Sequence, residues 1–431
     1  MKKVYTCFCT DTIHEGHQNI IREACKYGEV IAGVLCDYEM IRYNRFPAIP
    51  FQQRVEMVRN MEGVSEVVIQ NEIMYDEVLR ELKPDYVIHG DNWQSGPEEA
   101  IRNNVLENLR QYGGELIEVP YTWNETVKKI EESSRERLAM PELRRRRLRQ
   151  LLDICTVVKT IEVHNGLTGL IAEKTVVEAG DGLDQFDAMW ISSLCDSTVR
   201  GKPDIELVDM SSRIRTIDEV MDVTTKPIIL DGDTGGLIEH FVYNVRTLER
   251  MGVSAIIIED KVGLKKNSLF GTEVEQTQDS IPNFCEKIRA GKAAQRTEDF
   301  MIIARIESLI LEKGMEDALA RARAYVEAGV DGIMIHSRKR EPDEIFTFCD
   351  RFRENDPRTP IVTVPTTYCD TYESELAAHG VNIVIYANQL TRSAFPAMEH
   401  TAETILRHHR AREAEDGLIP IKKIITLIDP L

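Results

Sequence analysis

The stretch PIILDGD, residues 227–233, decides the fold: it is a short apolar run that ends in ionisable residues. Seven other runs repeat its form. TIEVHNG (160–166), DAMWISS (187–193), AIIIED (255–260), MIIARIE (301–307), GIMIHS (332–337), IVTVPT (361–366) and NIVIYAN (382–388) are each apolar and then polar at the carboxyl end. Helix-period segments separate them, for example IEHFVYNVRTLERMG (238–252) and GMEDALARARAYVEAG (314–329). Eight strand–helix units of this kind predict a (β/α)8 barrel, whose active site lies at the carboxyl ends of its strands. Those ends carry Asn165, Ser192, Asp231, Asp233, Glu259, Arg305, His336, Thr366 and Asn388.

Upstream, the first 120 residues alternate the apolar runs KVYTCFC (3–9), EVIAGVLC (29–36), EVVIQ (66–70), DYVIHGD (85–91) and ELIEVP (115–120) with helix-like segments such as GHQNIIREACKYG (16–28) and PFQQRVEMVRNM (50–61). Each strand followed by a crossover predicts a parallel, doubly wound α/β sheet of Rossmann type. The domains expected are therefore residues 1–130, a charge-rich helical connector over 131–150, and a barrel over 151–431. The run Arg144 to Arg147 inside VKKIEESSRERLAMPELRRRRLRQLL (127–152) reads as a solvated helix face rather than a binding site.

A chain of 431 residues with 42% hydrophobic content can bury two cores. Its 53 Lys and Arg against 72 Asp and Glu give a net charge of −19, which argues against nucleic acid or an anionic membrane as partner. No apolar run approaches the roughly 18 residues of a membrane span. The start MKKVYTCFCTDTIHEGHQ lacks the apolar core of a secretory signal, so a cytoplasmic protein is expected. Nine scattered cysteines, an odd number without metal-type spacing, read as reduced thiols.

In the barrel, Asp231 and Asp233 at the end of the third strand and Glu259 at the end of the fourth bring three carboxylates together. They repel unless a cation neutralises them, and Mg2+, which prefers oxygen ligands and keeps several waters, is the natural occupant. Lys265, Arg305 and His336 supply the opposite charge, so a small, multiply anionic substrate is implied.

EDKVGLKKNSLFG, residues 259–271, resembles the gating loop of the phosphoenolpyruvate mutases within the isocitrate lyase superfamily. DGDTGG (231–236) resembles that family's metal-binding turn and EVHNGL (162–167) its first strand end, while IARIESLI, IMIHSRK and TVPTTY resemble later ones, over about Leu148 to near the C-terminus. The resemblance implies Asp231 as direct Mg2+ ligand, with Asp233 and Glu259 holding metal-bound waters. It places Trp190 and Ser192 at the substrate carboxylate, and Arg305 and His336 at substrate and transferring phosphoryl group. Asp204 falls on the essential catalytic aspartate, and Lys265, Asn267 and Ser268 belong to the loop that closes over the phosphoryl group. The chain departs from the family at Ile191, Ser193 and Gly232. The implied reaction interconverts phosphoenolpyruvate and phosphonopyruvate. Alternatives are a phosphonopyruvate hydrolase, which uses nearly the same loop, and a carbon–carbon lyase, whose loop cysteine is missing from 259–271. Family barrels assemble as homodimers or homotetramers by exchanging a C-terminal helix, a part that residues 390–410 would play.

At the other end, His14-Glu15-Gly16-His17 follows the first strand and opens the first helix, where backbone amides favour anions. Residues 1–130 resemble the cytidylyltransferases of glycerol-3-phosphate type through His14 and His17, the preceding Asp11, Arg54, and HGDNW (89–93) with Asp91. The resemblance implies CTP as co-substrate and an acceptor phosphonate, with the histidines at the α-phosphorus. Phe8 and Cys9 replace the family's Gly-Thr, its late phosphate loop is reduced to Tyr121–Thr126, and its loop lysines become Tyr43 and Arg45. The alternative is a non-catalytic nucleotide-binding or assembly module.

Overall fold

The computed structural model describes residues 2–9, 12–42, 46–47, 49–94, 98–120, 122, 125, 129, 136–179 and 182–428. Strands β1 (Lys3–Phe8), β2 (Glu29–Leu35), β3 (Val64–Gln70), β4 (Tyr86–Gly90) and β5 (Glu115–Val119) form a parallel sheet in the order β3-β2-β1-β4-β5. The strand order reverses between β1 and β4, the place where such sheets open a crevice at their carboxyl edge. Apolar clusters cover both faces, one around Tyr5, Leu79 and Trp93 and the other around Val4, Ile21 and Val34.

Strands β6 (Val158–Val163), β7 (Ala188–Ile191), β8 (Ile228–Asp231), β9 (Ala255–Glu259), β10 (Met301–Ile306), β11 (Gly332–Ile335), β12 (Ile361–Thr363) and β13 (Ile383–Tyr386) close a parallel barrel in chain order, β13 pairing with β6. Side chains alternate across each strand. Met189, Ile191, Ile256, Ile258, Ile302 and Ala304 point outward into the large cluster under the helices. Ala188, Trp190, Ala255, Ile257, Met301 and Ile303 fill the lumen, so the barrel is packed rather than hollow.

The arginine run corrects the expectation of a solvated face. It lies in the helix Pro141–Ile154, whose Leu148 and Leu151 join the lumen cluster and plug the barrel floor. Arg144, Arg145 and Arg147 are buried, while Arg146 is exposed. Arg144 Nη2 donates to the carbonyls of Thr224 and Met221, Arg147 Nη1 to Thr225 (2.7 Å) and Arg145 Nη1 to Glu249 (2.8 Å). Those carbonyls sit at or just beyond the C-terminal ends of the helices Met210–Val223 and Ile238–Met251, where unpaired acceptors and the helix dipole favour cations. Burial pulls Arg144 and Arg147 down to about 10, and they remain charged at neutral pH. Helical propensity and charge pattern could not reveal this, because the partners are backbone carbonyls about 75 to 105 positions away.

The floor is also where the two domains meet. Ile41, from the helix Asp37–Arg42 that follows β2, belongs to the lumen cluster, and Phe46 packs against it. The Arg147 guanidinium lies 4.5 Å from the centre of the Phe46 ring, and Gln185 donates to the Ile41 carbonyl. At the far end of the chain, the helix Gln389–His408 buries none of its residues, leaving Phe395, Met398 and Leu406 exposed. No helix among the described residues is long and apolar enough to cross a membrane. All nine cysteines are free thiols, as expected.

Leu148→Ala empties the plug while leaving every hydrogen bond in place. A loss of about 2–5 kcal/mol is expected, read as a lower urea midpoint with unchanged slope for the barrel transition.

Candidate functional site

Strand parity selects the barrel site. Ile229 leads to Asp231 on β8, Ile257 to Glu259 on β9, Ile303 to Arg305 on β10 and Met334 to His336 just past β11, each one step further up the lumen face. Glu259 and Arg305 are register partners, so acid and base stand side by side at the mouth. Asp233 arrives differently, which corrects the reading that it shares a strand face with Asp231. The chain turns at Gly232, where a Cβ would lie 2.7 Å from Ile256 and 2.8 Å from the Ile257 carbonyl oxygen. Asp233 then takes a left-handed φ of 53°, tolerated by Asp better than by most residues.

The acids are met by buried cations. Lys265 Nζ contacts Asp233 and the Ser193 hydroxyl, and lies 3.0 Å from Asp204 Oδ1. Asn267 Nδ2 donates to the other Asp204 oxygen at 3.1 Å, so two loop residues hold one carboxylate. Ser193 Oγ donates to Asp231 Oδ2 at 2.7 Å, and Arg213 Nη1 to Asp233 Oδ2 at 3.1 Å. Arg305 Nη1 stands 3.7 Å from Glu259 Oε2, and Lys261 Nζ 3.2 Å from Glu259 Oε1.

Burial alone would raise every acid, and the cations decide which ones escape. Asp231 is held well below the usual carboxylate range by Lys265, Arg213 and Arg305 despite its burial, whereas burial leaves Asp233 raised. Burial pushes Glu259 up to about 7. His336 is pushed down to about 3, first by burial and then by Arg305, so it is a neutral imidazole at physiological pH. That corrects its place among the positive charges. Its Nδ1 has no hydrogen-bond partner in the structure and offers a polar contact rather than a charge.

A cavity of about 70 Å3 collects Trp190, Ser192, Asp204, Asp231, Glu259, Lys265, Asn267, Ser268, Arg305 and His336, with Thr366 and Asn388 on the wall. Asp233 does not line it and acts through Lys265 and Arg213. The donor set fits a divalent cation: it is all oxygen, and Glu259 Oε1 is buried with no hydrogen bond among the described residues, its nearest cation being Lys261 Nζ at 3.2 Å. Among the described residues no three acidic, thiol or imidazole side chains converge into a cage. One direct carboxylate with others reached through water suits Mg2+, which keeps much of its hydration. Arg213, Lys261 and Glu307 are the site residues that sequence reasoning missed, and Ser193 entered it only as a departure from the family. Lys261 and Glu307 each stand two positions beyond a strand-end charge, Glu259 and Arg305, and that spacing was the available signal.

In the sheet domain, the start of the helix Glu15–Ala24 that follows β1 and the turn after β4 both stand at the carboxyl edge of the sheet. His14 caps the helix Glu15–Ala24: its Nδ1 accepts from Gly16 N at 3.1 Å, and His17 Nδ1 accepts from His14 N at 3.2 Å, with ring centres 3.9 Å apart. Asp91 opens the 3-10 turn after β4, where His89 stacks on Trp93. Asn19 Nδ2 donates to Thr122 Oγ1 at 2.9 Å, tying the helix to the segment after β5. Arg54 is buried, donating to the Leu35 carbonyl (2.9 Å) and Asp37 (2.5 Å), which makes it a brace of the β2 end. Its Nε and Nη1 make no hydrogen bond among the described residues, and its guanidinium lies 5.3 Å from the centre of the Phe51 ring. Asp11, Tyr43 and Arg45 lie outside the described residues, as do Tyr121, Trp123, Asn124 and Thr126.

Residues 148–406 match the family model described as phosphoenolpyruvate phosphomutase, and residues 5–129 the one described as cytidylyltransferase-like. The chain is 38% identical over 285 residues to a phosphoenolpyruvate phosphomutase of Streptomyces hygroscopicus, covering 66% of this chain and 87% of that one. Among solved structures, the phosphoenolpyruvate phosphomutase from Streptomyces platensis subsp. rosaceus is similar with a TM-score of 0.60 and 36% identity, over 65% of this chain and 93% of that one. A phosphonopyruvate hydrolase complexed with oxalate and Mg2+ gives 0.58 and 34%, over 66% and 94%.

Arg305→Met leaves Glu307 and Glu259 buried beside each other with Lys261 as their remaining nearby cation. Removing one partner of such a buried group is expected to cost about 3–5 kcal/mol, measured by urea unfolding.

Proposed function

The chain belongs to the phosphoenolpyruvate phosphomutase family, and from that premise we propose that its barrel interconverts phosphoenolpyruvate and phosphonopyruvate, forming the carbon–phosphorus bond of phosphonate biosynthesis. The observation that carries this reading is the loop after β9. Its Lys265 and Asn267 reach across the mouth and hold both oxygens of Asp204 over a cavity already furnished with Arg305 and His336.

Phosphoenolpyruvate gives up its phosphorus–oxygen bond, and the phosphoryl group moves to the methylene carbon of the pyruvate enolate. The group is nearly free in a loose transition state, so charge has to be matched and water kept out. Arg305 supplies a fixed guanidinium to the phosphoryl oxygens, and neutral His336 can donate or accept one hydrogen bond without adding charge. Trp190 and Ser192 orient the substrate carboxylate. Asp204, held by Lys265 and Asn267, faces the reacting groups from the loop side. Mg2+, which Asp231 would hold directly and Glu259 through water, would supply stabilisation of the enolate oxygen, with Asp233 acting through Lys265 and Arg213. The unburied helix Gln389–His408 fits an element exchanged between copies, so we read the protein as a homodimer or homotetramer.

For the sheet domain we propose nucleotide binding at the β1 and β4 turns, with CTP as co-substrate and a phosphonate as acceptor. His14 and His17 stand at a helix N-terminus, whose amides attract phosphate. Asp11 and Asp91 complete the expected set, while Arg54 supports it from below by bracing the end of β2.

With Mg2+ and phosphonopyruvate, 31P NMR is expected to show phosphoenolpyruvate; free phosphate alone would identify a hydrolase. Asp204→Ala is expected to abolish isomerisation while Mg2+ binding, followed by calorimetry, stays largely intact. With CTP, Mg2+ and a 2-hydroxy- or 2-aminoalkylphosphonate, pyrophosphate release is expected to disappear in His17→Ala. No release from the unaltered protein leaves the domain a non-catalytic module.

A further inference from the structure

We infer that Glu307 is the positioning residue that latches the loop shut, and that through this latch it decides whether the phosphoryl group goes to the enolate or to water. The inference rests on the mutase reading for the phosphoryl step, though the latch itself does not.

The loop from Lys261 to Gln278 is pinched at its base by the pairs Lys261–Gln278 and Val262–Thr277. Above that base it is fastened twice. One fastening is Lys265 and Asn267 on Asp204, within the cavity. The other runs from Ser268 and Arg305 at the cavity wall back to Glu307 and Lys261, which lie outside it. Glu307, fully buried at 0% exposure, accepts from Ser268 Oγ at 2.6 Å through Oε2 and from Arg305 Nε at 2.6 Å through Oε1. The same Ser268 oxygen accepts from Arg305 Nη2 at 2.6 Å and Lys261 Nζ at 3.1 Å. Lys261 Nζ also donates to the Lys266 carbonyl and to Gln276, both at 2.9 Å, so it grips the loop on both sides of Ser268.

A hydroxyl has one proton and two acceptor sites. Ser268 gives its proton to Glu307 and fills both acceptor sites with cations, which leaves no capacity for a substrate oxygen in this closed arrangement. Ser268 therefore serves the reaction as the pin of the latch. Neither Glu307 nor Lys261 is among the residues lining the cavity, so their effect on the chemistry passes through Ser268 and Arg305.

The consequence concerns the fate of one bond. When the carbon–phosphorus bond of phosphonopyruvate breaks, the phosphorus can bond to the enolate oxygen, giving phosphoenolpyruvate. Alternatively it bonds to a water oxygen, giving inorganic phosphate, while the enolate carbon takes up a proton to become pyruvate. A loop that stays shut admits only the first outcome.

Glu307→Gln keeps the shape but removes the charge and one acceptor. Two readouts follow in the full-length protein with Mg2+. Trypsin cleavage after Lys266, followed by mass spectrometry, is expected to speed up about ten- to a hundredfold, the shift expected from losing one hydrogen bond to a charged group. In 31P NMR with phosphonopyruvate, the ratio of phosphate to phosphoenolpyruvate is expected to rise by a similar factor. Ser268→Ala, which removes the pin and leaves the buried Glu307–Arg305 pair in place, is expected to do the same and keeps the test open if Glu307→Gln does not fold. Wild-type resistance to trypsin in both variants overturns the latch. Faster cleavage with an unchanged product ratio overturns its role in partition. If the unaltered protein yields only phosphate, or no product, the mutase reading and the claim on phosphoryl fate both fall, and the cleavage rates still decide the latch.

Discussion

The structure depends on keeping a layer of ionisable groups dry at one end of a barrel. Asp231, Asp233, Glu259 and Glu307 are all buried, and so are Lys261, Lys265 and Arg213, with Arg305 among them. An isolated ion buried in this way would cost several kcal/mol, so each charge is tolerable only because another meets it at hydrogen-bond distance. The barrel supplies that arrangement through parity: parallel strands in register deliver every second residue to the lumen, and the last lumen residue of each strand arrives where the apolar filling stops. Lumen residues Ile229, Ile257 and Ile303 set the height at which Asp231, Glu259 and Arg305 appear. The same layer then fastens the loop, because Lys265 and Ser268 find their partners among its members.

How much of this was legible in the sequence follows from what periodicity can and cannot encode. All eight barrel strands and all five sheet strands were visible, because a run of Val, Ile and Leu between helical segments has few other ways to be buried in both directions. Strand-end residues were visible for the same reason. What the pattern could not show was burial of a polar group by distant backbone. The buried arginines of the floor helix look identical in sequence to a solvated charge run, and Arg54 gives no hint that it braces Leu35 and Asp37 rather than facing outward. His336 looked like a charge because its sequence neighbours say nothing of its burial or of Arg305 on the adjacent strand. Asp233 looked like a strand partner of Asp231 because the turn at Gly232 is a matter of contact with Ile256 and Ile257.

The two ends of the barrel illustrate two ways of satisfying polar groups inside a protein. At the mouth, side-chain acids meet side-chain bases, and the pairs can exchange partners when a ligand or cation arrives. At the floor, the arginines of the helix Pro141–Ile154 meet backbone carbonyls at or just beyond helix ends, which move only when the main chain moves. The mouth is accordingly built for change and the floor for permanence.

The docking of the sheet domain on that floor sets it at the end of the barrel away from the mouth. Ile41 and Phe46 follow the carboxyl end of β2, the same edge of the sheet that carries the turns after β1 and β4, and they rest on the end of the barrel opposite its mouth. The lumen between is filled by side chains from Leu148 to Trp190. The apolar filling that sets the height of the charged layer at the mouth is thus the same filling on which the sheet domain is seated.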